Sequence, residues 1–562
     1  MRRLVIGSAI LGITLLNFFQ FPGHTWLQSD TQIYVPIMEH VWDPSVLNKD
    51  LIVQHPHVAF TIYDEIGLGL RKITGLDFQY VLQAEQFVLR VLAIWGIYLI
   101  AAALGLSDAL ALLATAVFSL GATLIGPAVL VFEYEPVPRG FAISLIFLAI
   151  GMIAHDRYVA AGIAASAASL FHAPTVAPFW AVYFCLALWP STKIPRRRLL
   201  SATWPLALAA LVLLVASRSQ TSTGETQAFF TRLDPAQEEL QRMRASYNWV
   251  SIWWKQWLRH YVILYGVTVL AYWRIRTYIP RSLRFFLIGL PLIGVVSIPA
   301  SYLLLEKMRW ALIPQIQPTR ALLFVTAFAM LLGAVAACRA MESKRYLEAL
   351  AWLVVAYLPP VNRLVDQRPS WNRVGVVLAL AALAWLAIRL SHLQPRWSCA
   401  VLAAAMVAPF FLIPGWGKMQ NYARLHSPEL AQLSAWGRTN TPQQAVFLFP
   451  DAEQALHPGV FRAEALRAVY VDWKAGGQVN FFKGLGEEWW SRWQRTMAAP
   501  FDPNRLASYR ELGIDYVVLR AQNRIAALTP RFQNSAFVVY EIGGSPMAAL
   551  NVITQGASSS RQ

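Results

Sequence analysis

Long apolar runs recur from one end of the 562-residue chain to the other, and they constrain the fold more than any other feature. A run of about 20 apolar residues can cross a lipid bilayer as a helix, so each run is a candidate membrane span. We count about thirteen of them, near residues 4–22, 87–106, 108–127, 139–154, 158–171, 175–190, 201–217, 260–274, 284–304, 320–337, 347–360, 374–390 and 398–414. The pattern predicts an α-helical polytopic membrane protein.

The connections between these runs differ in their content of lysine and arginine. One of them contains Arg196, Arg197 and Arg198, and alternate connections along the chain are basic in the same way. Because cytoplasmic loops of membrane proteins are enriched in lysine and arginine, this alternation places the N-terminus in the cytoplasm. An odd number of spans then places the C-terminus outside. The sequence therefore predicts a multi-pass protein of the bacterial inner membrane whose outer segments face the periplasm.

Three segments on the predicted outer face are long enough to contain structure of their own. The first covers about residues 23–86 and the second about 218–259, both within a membrane domain that spans 1–414. The third covers 415–562, where strand-like runs such as "AVFLFP" and "DYVVLR" alternate with helix-like runs such as "SPELAQLSAWGRTN". This alternation of strand-like and helix-like runs predicts a C-terminal periplasmic α/β domain.

The overall charge and several missing motifs bear on the class of function. The net charge of +17 is explained by the basic cytoplasmic loops and by contact with anionic lipid, so the lipid bilayer is an expected partner and nucleic acid is not. The chain contains no GxxxxGK[ST], no GxGxxG after a strand, no HExxH and no GxSxG. Nucleotide binding and metalloprotease activity are therefore poorly supported.

A carboxylate lies where the first apolar run reaches the outer face. Asp30 follows that run closely, and Tyr34 lies one helical turn later, on the same face of a helix that begins at this point. Asp30 fits the N-cap of the helix "TQIYVPIMEHVW". It equally fits a carboxylate at the membrane surface that meets a substrate or a cation. The sequence leaves both interpretations open.

A second acidic cluster, "VFEYEPVPRG", lies in a short outer loop. In an extended segment the side chains of Glu133 and Glu135 point to the same side, because residues two apart share a face. Two such carboxylates repel unless a positive group lies between them. A divalent ion such as Mg or Mn would serve, with Asp30 as a further ligand. Arg139 could instead neutralise one of them.

Tyr34, Arg139 and the basic and polar residues of two further outer turns are candidates for substrate binding. Glu306, Arg309 and Arg320 belong to the segment "EKMRWALIPQIQPTR", and His172 lies between two apolar runs. A guanidinium fork matches the oxygens of a phosphate group, so Arg320 could contact a lipid phosphate. Arg320 could also simply extend its charge to the membrane surface, and His172 could be a neutral, hydrogen-bonded histidine.

This arrangement resembles the GT-C superfamily of membrane glycosyltransferases. The resemblance rests on an acidic residue at the head of the first outer loop, about thirteen spans, an arginine in a late outer loop and an outer C-terminal α/β region. Asp30-x-x-x-Tyr34 is similar to the Asp-Glu-x-x-Tyr pattern of several members, with Thr31 in place of the second acid. Such enzymes transfer a sugar from a polyprenyl phosphate carrier to an acceptor, which here is an unidentified glycan, lipid or protein.

The resemblance also implies roles for individual residues. Asp30 would be the catalytic carboxylate, and Glu133 and Glu135 would help to hold a divalent ion or orient the acceptor. Arg320 would contact the phosphate of the carrier. Two other functions remain alternatives at this stage. One is a transporter or flippase for a lipid or sugar, and the other is a non-catalytic membrane assembly protein.

Overall fold

The computed structural model describes residues 1–54, 61–189, 194–219, 231–361, 370–393 and 395–543. Within these ranges, eight helices are long and apolar enough to cross a membrane, and three shorter apolar helices accompany them. The chain is therefore a helical polytopic membrane protein, as predicted. The total of about thirteen spans and the two sides of the membrane stay predictions.

The helices coincide with the apolar runs of the sequence and with the amphipathic stretches between them. Up to the end of the last apolar run, the described helices are α1 (Arg2–Phe19), α2 (Thr31–Trp42), α3 (Tyr63–Thr74), α4 (Phe78–Ala103), α5 (Asp108–Ser119), α6 (Pro138–Ala154), α7 (Tyr158–Leu188), α8 (Arg196–Leu200), α9 (Trp204–Ser219), α10 (Pro235–Arg244), α11 (Lys255–Ile275), α12 (Arg281–Ser301), α13 (Ile313–Ile316), α14 (Leu322–Glu342), α15 (Tyr346–Val361), α16 (Trp371–Leu393) and α17 (Pro395–Gly415). A short antiparallel pair, β1 (Thr123–Leu124) and β2 (Val129–Leu130), separates α5 from α6.

The fifth and sixth predicted spans form one element, α7, which is broken at His172. The backbone of His172 is not helical, with φ of −159° and ψ of 86°. The indole Nε1 of Trp180 donates a hydrogen bond of 3.3 Å to Ser169 Oγ, eleven residues earlier in the chain. Eleven residues of straight helix would separate such groups by roughly 16 Å. The chain therefore reverses at His172, where the sequence predicts a turn between two apolar runs.

Glycines allow α4 and α6 to cross at close range. A Cβ atom added at Gly96 of α4 would lie 2.6 Å from Leu148 Cα, and one added at Gly151 of α6 would lie 2.6 Å from the carbonyl oxygen of Gly96. Small residues at a helix crossing let the two backbones approach, which is how helices pack when the surrounding lipid is as apolar as their side chains. This crossing lies near the C-terminal end of α6 and holds that helix against α4.

Replacing Gly96 by alanine is expected to destabilise the protein by about 1–3 kcal/mol, because the added methyl group overlaps backbone atoms that cannot move separately. The matched control is Gly12→Ala in α1, where a Cβ atom has nothing within 4 Å. Alanine there should be neutral or slightly stabilising, since it favours helix formation over glycine. Thermal unfolding of both variants in detergent compares them, and equal melting temperatures would contradict this account of the crossing.

The C-terminal part of the chain contains a five-stranded sheet. Its helices and strands are α18 (Pro428–Asn440), β3 (Val446–Leu448), α19 (His457–Ala465), β4 (Ala468–Val469), α20 (Lys483–Thr496), α21 (Leu506–Glu511), β5 (Tyr516–Arg520), β6 (Phe532–Gln533) and β7 (Phe537–Glu541). The strand order is β4-β3-β5-β7-β6, with β4, β3 and β5 parallel and β5, β7 and β6 antiparallel. Four of these strands, β3, β4, β5 and β7, and the helices α18 and α21 lie where the sequence pattern predicts them.

A buried ion cluster joins this sheet to the first predicted outer segment. Arg462 of α19 donates to Asp50 at 2.6 Å and to Asp472 at 2.7 Å, and none of the three side chains is more than 1% exposed. Asp50 also accepts a hydrogen bond of 2.9 Å from the backbone N–H of Val469 in β4. The cluster therefore holds the end of β4 next to the segment that follows α2.

Candidate functional site

Asp30 immediately precedes α2, but its side chain makes no capping hydrogen bond to that helix. Asp30 therefore occupies the N-cap position that the sequence indicates, but its side chain does not cap the helix. Both carboxylate oxygens are instead paired with cations: Oδ2 accepts from Arg139 and Oδ1 accepts from Lys474. Ser29 Oγ also lies within 3.2 Å of the Lys474 ammonium group. A carboxylate has about four acceptor positions, so Asp30 retains capacity for a further donor.

The two cations determine the charge state of Asp30. Burial by itself raises the pKa of the carboxyl group, but the charges of Lys474 and Arg139 and their hydrogen bonds outweigh that effect. The pKa of Asp30 consequently lies well below its usual range, and the group is ionised at neutral pH.

Glu135 performs the capping that the sequence suggested for Asp30. Its Oε1 accepts hydrogen bonds from the backbone N–H groups of Gln28 at 2.5 Å and Ser29 at 2.8 Å, and from Thr31 Oγ1 at 2.6 Å. A negative charge at a helix N-terminus stabilises the unpaired N–H groups there. Glu135 thus fixes the beginning of α2, and with it the position of Asp30.

Glu133 is directed toward Arg139 rather than toward Glu135. Its Oε1 accepts from Arg139 Nε at 2.7 Å, and its backbone carbonyl accepts from Arg90 at 2.6 Å. Arg139 therefore bridges Glu133 and Asp30, as in the alternative in which it neutralises a carboxylate of this loop. A small side chain at Gly140 is needed here, because an added Cβ atom would lie 2.9 Å from Glu133 Cβ.

The predicted metal ligands do not form a shared site. Asp30 is paired with two cations, Glu133 with Arg139, and Glu135 with N–H and O–H donors. Within the described ranges, no three histidine, cysteine, aspartate or glutamate side chains are grouped so that they could hold a metal ion. This donor set does not fit Mg or Mn, which take several carboxylate oxygens or waters at one centre.

A polar cavity of about 390 Å³ opens beside Asp30. Of the residues predicted to bind substrate, four line it: Tyr34, Arg139, His172 and Arg320. Glu133 and Glu135 lie behind the wall rather than in it. The cavity therefore brings together residues of α2, α6, the break in α7 and the segment before α14. The sequence places all of these residues on the same predicted outer face.

Several polar atoms in this cavity wall have no partner in the described part of the chain. They are Arg320 Nε, Gln317 Oε1 and both amide atoms of Gln478. Buried polar groups in folded proteins are nearly always hydrogen-bonded, and exceptions call for a ligand, a water or a functional reason. The wall is therefore suited to a polar ligand.

An apolar groove of about 710 Å³ adjoins the polar cavity. It runs between α7, α12 and α14, and it shares Pro174, Gln317 and Arg320 with the cavity. Its other lining residues are almost all apolar, among them Leu292 and Phe324. Arg320 thus lies where the polar cavity meets the apolar groove.

Two predicted substrate-binding residues lie elsewhere. Glu306 accepts a hydrogen bond of 2.9 Å from the backbone N–H of Ser251, and Arg309 pairs with Glu238 at 2.9 Å. Neither lines the cavity or the groove. The ion pairs of Arg309 with Glu238 and of Glu306 with Arg242, at 3.7 Å, connect α10 with the turn after α12.

Sequence reasoning missed three ionisable residues of the cavity wall. Lys474 comes from the C-terminal part and Arg244 from the end of α10, and each is remote in sequence from Asp30. Asp64, near the start of α3, also lines the cavity. The stretch "YVDWKAGGQ" around Lys474 is rich in polar and aromatic residues, but that composition alone does not place it beside Asp30.

Comparison with known proteins gives one partial family match and several structural neighbours. A family described as a domain of unknown function, DUF6798, matches residues 428–496. No curated protein matches the chain.

Solved structures that align with the chain include those of three proteins, each at 13% identity and a TM-score below 0.5. Arabinofuranosyltransferase AftD from Mycobacteria shares 13% identity at a TM-score of 0.44, covering 97% of this chain and 42% of its own. ArnT from Cupriavidus metallidurans, bound to undecaprenyl phosphate, shares 13% identity at a TM-score of 0.45. The alignment covers 97% of this chain and 99% of ArnT. The oligosaccharyltransferase of Archaeoglobus fulgidus, tethered to an acceptor peptide, shares 13% identity at a TM-score of 0.41. The alignment covers 92% of this chain and 69% of the oligosaccharyltransferase. The chain spans less than half the length of AftD.

Proposed function

We propose that the protein is a membrane glycosyltransferase that moves a sugar from a polyprenyl phosphate carrier to an acceptor in the cavity beside Asp30. One observation carries this proposal: a polar cavity with an ionised carboxylate joins an apolar groove at Arg320. A polyprenyl phosphate sugar has the same construction, since a charged phosphate separates a polar sugar from a long hydrocarbon chain. The groove suits the chain, Arg320 the phosphate and the cavity the sugar.

The charges of the site are suited to the transfer. The acceptor hydroxyl gives its proton to the Asp30 carboxylate as its oxygen forms a bond to the anomeric carbon of the sugar. The bond from that carbon to the phosphate oxygen breaks, and the carrier leaves as a phosphate monoester. Arg139, Lys474 and Arg320 lie around the cavity, where their positive charge stabilises the negative charge that develops on the leaving phosphate.

The first test is a product assay with the purified full chain in proteoliposomes. Undecaprenyl phosphate carrying a radiolabelled sugar serves as the donor, with glucose, mannose, galactose and arabinose compared in turn. Extracts of bacterial lipid, glycan and periplasmic protein serve as acceptors. We expect one donor to give a covalently labelled product and free undecaprenyl phosphate. Movement of the labelled lipid across the bilayer without a covalent product would contradict the proposal and favour the transporter.

A further inference from the structure

Asp64 is a second carboxyl group in the cavity wall, and the mechanism above does not use it. It lies in the first turn of α3 and lines the cavity together with Thr61. Its Oδ1 atom is buried and has no hydrogen-bond partner among the residues that the structure describes. A buried oxygen of this kind destabilises the protein unless a ligand or water supplies the missing bond.

The protonation state of Asp64 differs from that of Asp30. Burial, followed by the nearby charge of Glu65, raises the pKa of Asp64 to about 8, so the group is largely a neutral acid at pH 7. A neutral carboxyl group both donates and accepts hydrogen bonds, whereas an ionised one only accepts. Sugar hydroxyl groups also do both, and they match a neutral acid without adding charge.

Tyr34 connects the two carboxyl groups across the cavity. The charges of both Asp30 and Asp64 raise the pKa of the Tyr34 hydroxyl, after the larger effect of burial, so Tyr34 lies within electrostatic range of both. Its ring packs edge-on against Tyr63 at 5.4 Å between ring centres, and the Tyr63 hydroxyl is already bonded to the carbonyl of Pro136 at 2.6 Å. Asp64 Oδ1 therefore remains a polar atom without a hydrogen-bond partner on that part of the described wall.

We propose that Asp64 binds a hydroxyl group of the donor sugar and so forms a sugar subsite distinct from the phosphate-binding cations. The inference rests on the proposed function, and it divides the cavity into two parts with different chemistry. The ionised Asp30 and its cations act on the reacting bond. The neutral Asp64 contacts the sugar, and its contact selects among donors by the hydroxyl groups that they present.

The experiment compares two lipids on the full chain in detergent, measured by binding titration at pH 7. One is bare undecaprenyl phosphate, and the other is the tightest binder among undecaprenyl phosphate glucose, mannose, galactose and arabinose. Asp64→Ala should weaken the affinity for the sugar-bearing lipid on the order of tenfold, since it removes one buried hydrogen-bonding partner. The affinity for the bare lipid should be unchanged. Asp64→Asn, which keeps a neutral donor and acceptor of the same shape, should retain most of the affinity. Asp43→Ala, at an exposed aspartate that does not line the cavity, is the matched control.

Each possible result either supports or overturns the proposed subsite or the proposed function. Equal weakening of both lipids by Asp64→Ala would show a structural role and overturn the subsite, as would unchanged affinity for both. A wild-type protein that binds no sugar-bearing lipid more tightly than the bare one would also overturn it. A wild-type protein that fails to bind even bare undecaprenyl phosphate would instead overturn the proposed function. Thermal unfolding of Asp64→Asn shows whether the variant is folded.

Discussion

Replacing Asp30 by asparagine is expected to reduce sugar transfer by on the order of 10²–10⁴-fold while leaving the protein folded. Asparagine has the shape of aspartate, but its amide cannot take the proton of the acceptor. The two cations keep other partners in the variant. Arg139 still bonds Glu133 at 2.7 Å, and Lys474 still lies 3.2 Å from Ser29 Oγ. The loss should therefore appear in turnover rather than in protein yield.

The matched control for this variant is Asp43→Asn. Asp43 follows the other end of α2, is exposed, and bonds Ser45 rather than any residue of the cavity. Transfer should be unchanged in the control, and both variants should melt close to the wild-type protein. Near-normal transfer by Asp30→Asn would contradict the assignment of Asp30 as the proton acceptor. The measurement is initial rate with the labelled donor, at saturating acceptor.

Replacing Arg462 by methionine is expected to destabilise the protein by about 3–5 kcal/mol, the largest effect on stability predicted here. Arg462 is fully buried between Asp50 and Asp472, and its removal leaves two carboxylates buried without their cation. Removing one partner of a buried ion pair has this effect because the remaining charge has lost both water and its counterion. Lys474 lies two residues after Asp472, so transfer should fall as well.

Arg531→Met is the matched control, because it removes an arginine from an ion pair that is exposed rather than buried. Arg531 bonds Glu541 at 2.7 Å, a distance close to those of Arg462, but its side chain is 61% exposed. An exposed pair of this kind contributes about 0–1 kcal/mol, because water already solvates both charges. Unfolding curves in detergent compare the two variants. Similar destabilisation by both would show that burial of the Arg462 cluster is not what matters.

Local patterns in the sequence predicted the apolar helices and four strands of this fold, but not the helices α3, α10, α19 and α20. The apolar run near residues 320–337 is helix α14, and the reversal at His172 lies between two predicted runs. Alternation and turn residues likewise indicated β3 and β5. These features depend on neighbours within a few residues, so the sequence contains what is needed to find them.

The partners of the site residues could not be predicted in the same way. The sequence placed Asp30, Arg139, His172 and Arg320 on one face, and the structure brings them into one cavity. It could not distinguish whether a loop carboxylate meets a metal, an arginine or backbone N–H groups, because each satisfies the same charge. Glu135 illustrates this, since its donors lie more than a hundred residues away. That choice is made by tertiary contacts alone.

The pairing of Asp30 with Lys474 has a consequence for biosynthesis. The two residues are 444 positions apart, and at translation rates of about 5–20 residues per second Lys474 is made roughly 20–90 s after Asp30. The apolar helices from α4 to α17 are made during that interval, and Asp30 lacks the Lys474 cation until the interval ends. A nascent chain therefore has an incomplete site, and the carboxylate reaches its final charge environment only after Lys474 has been made.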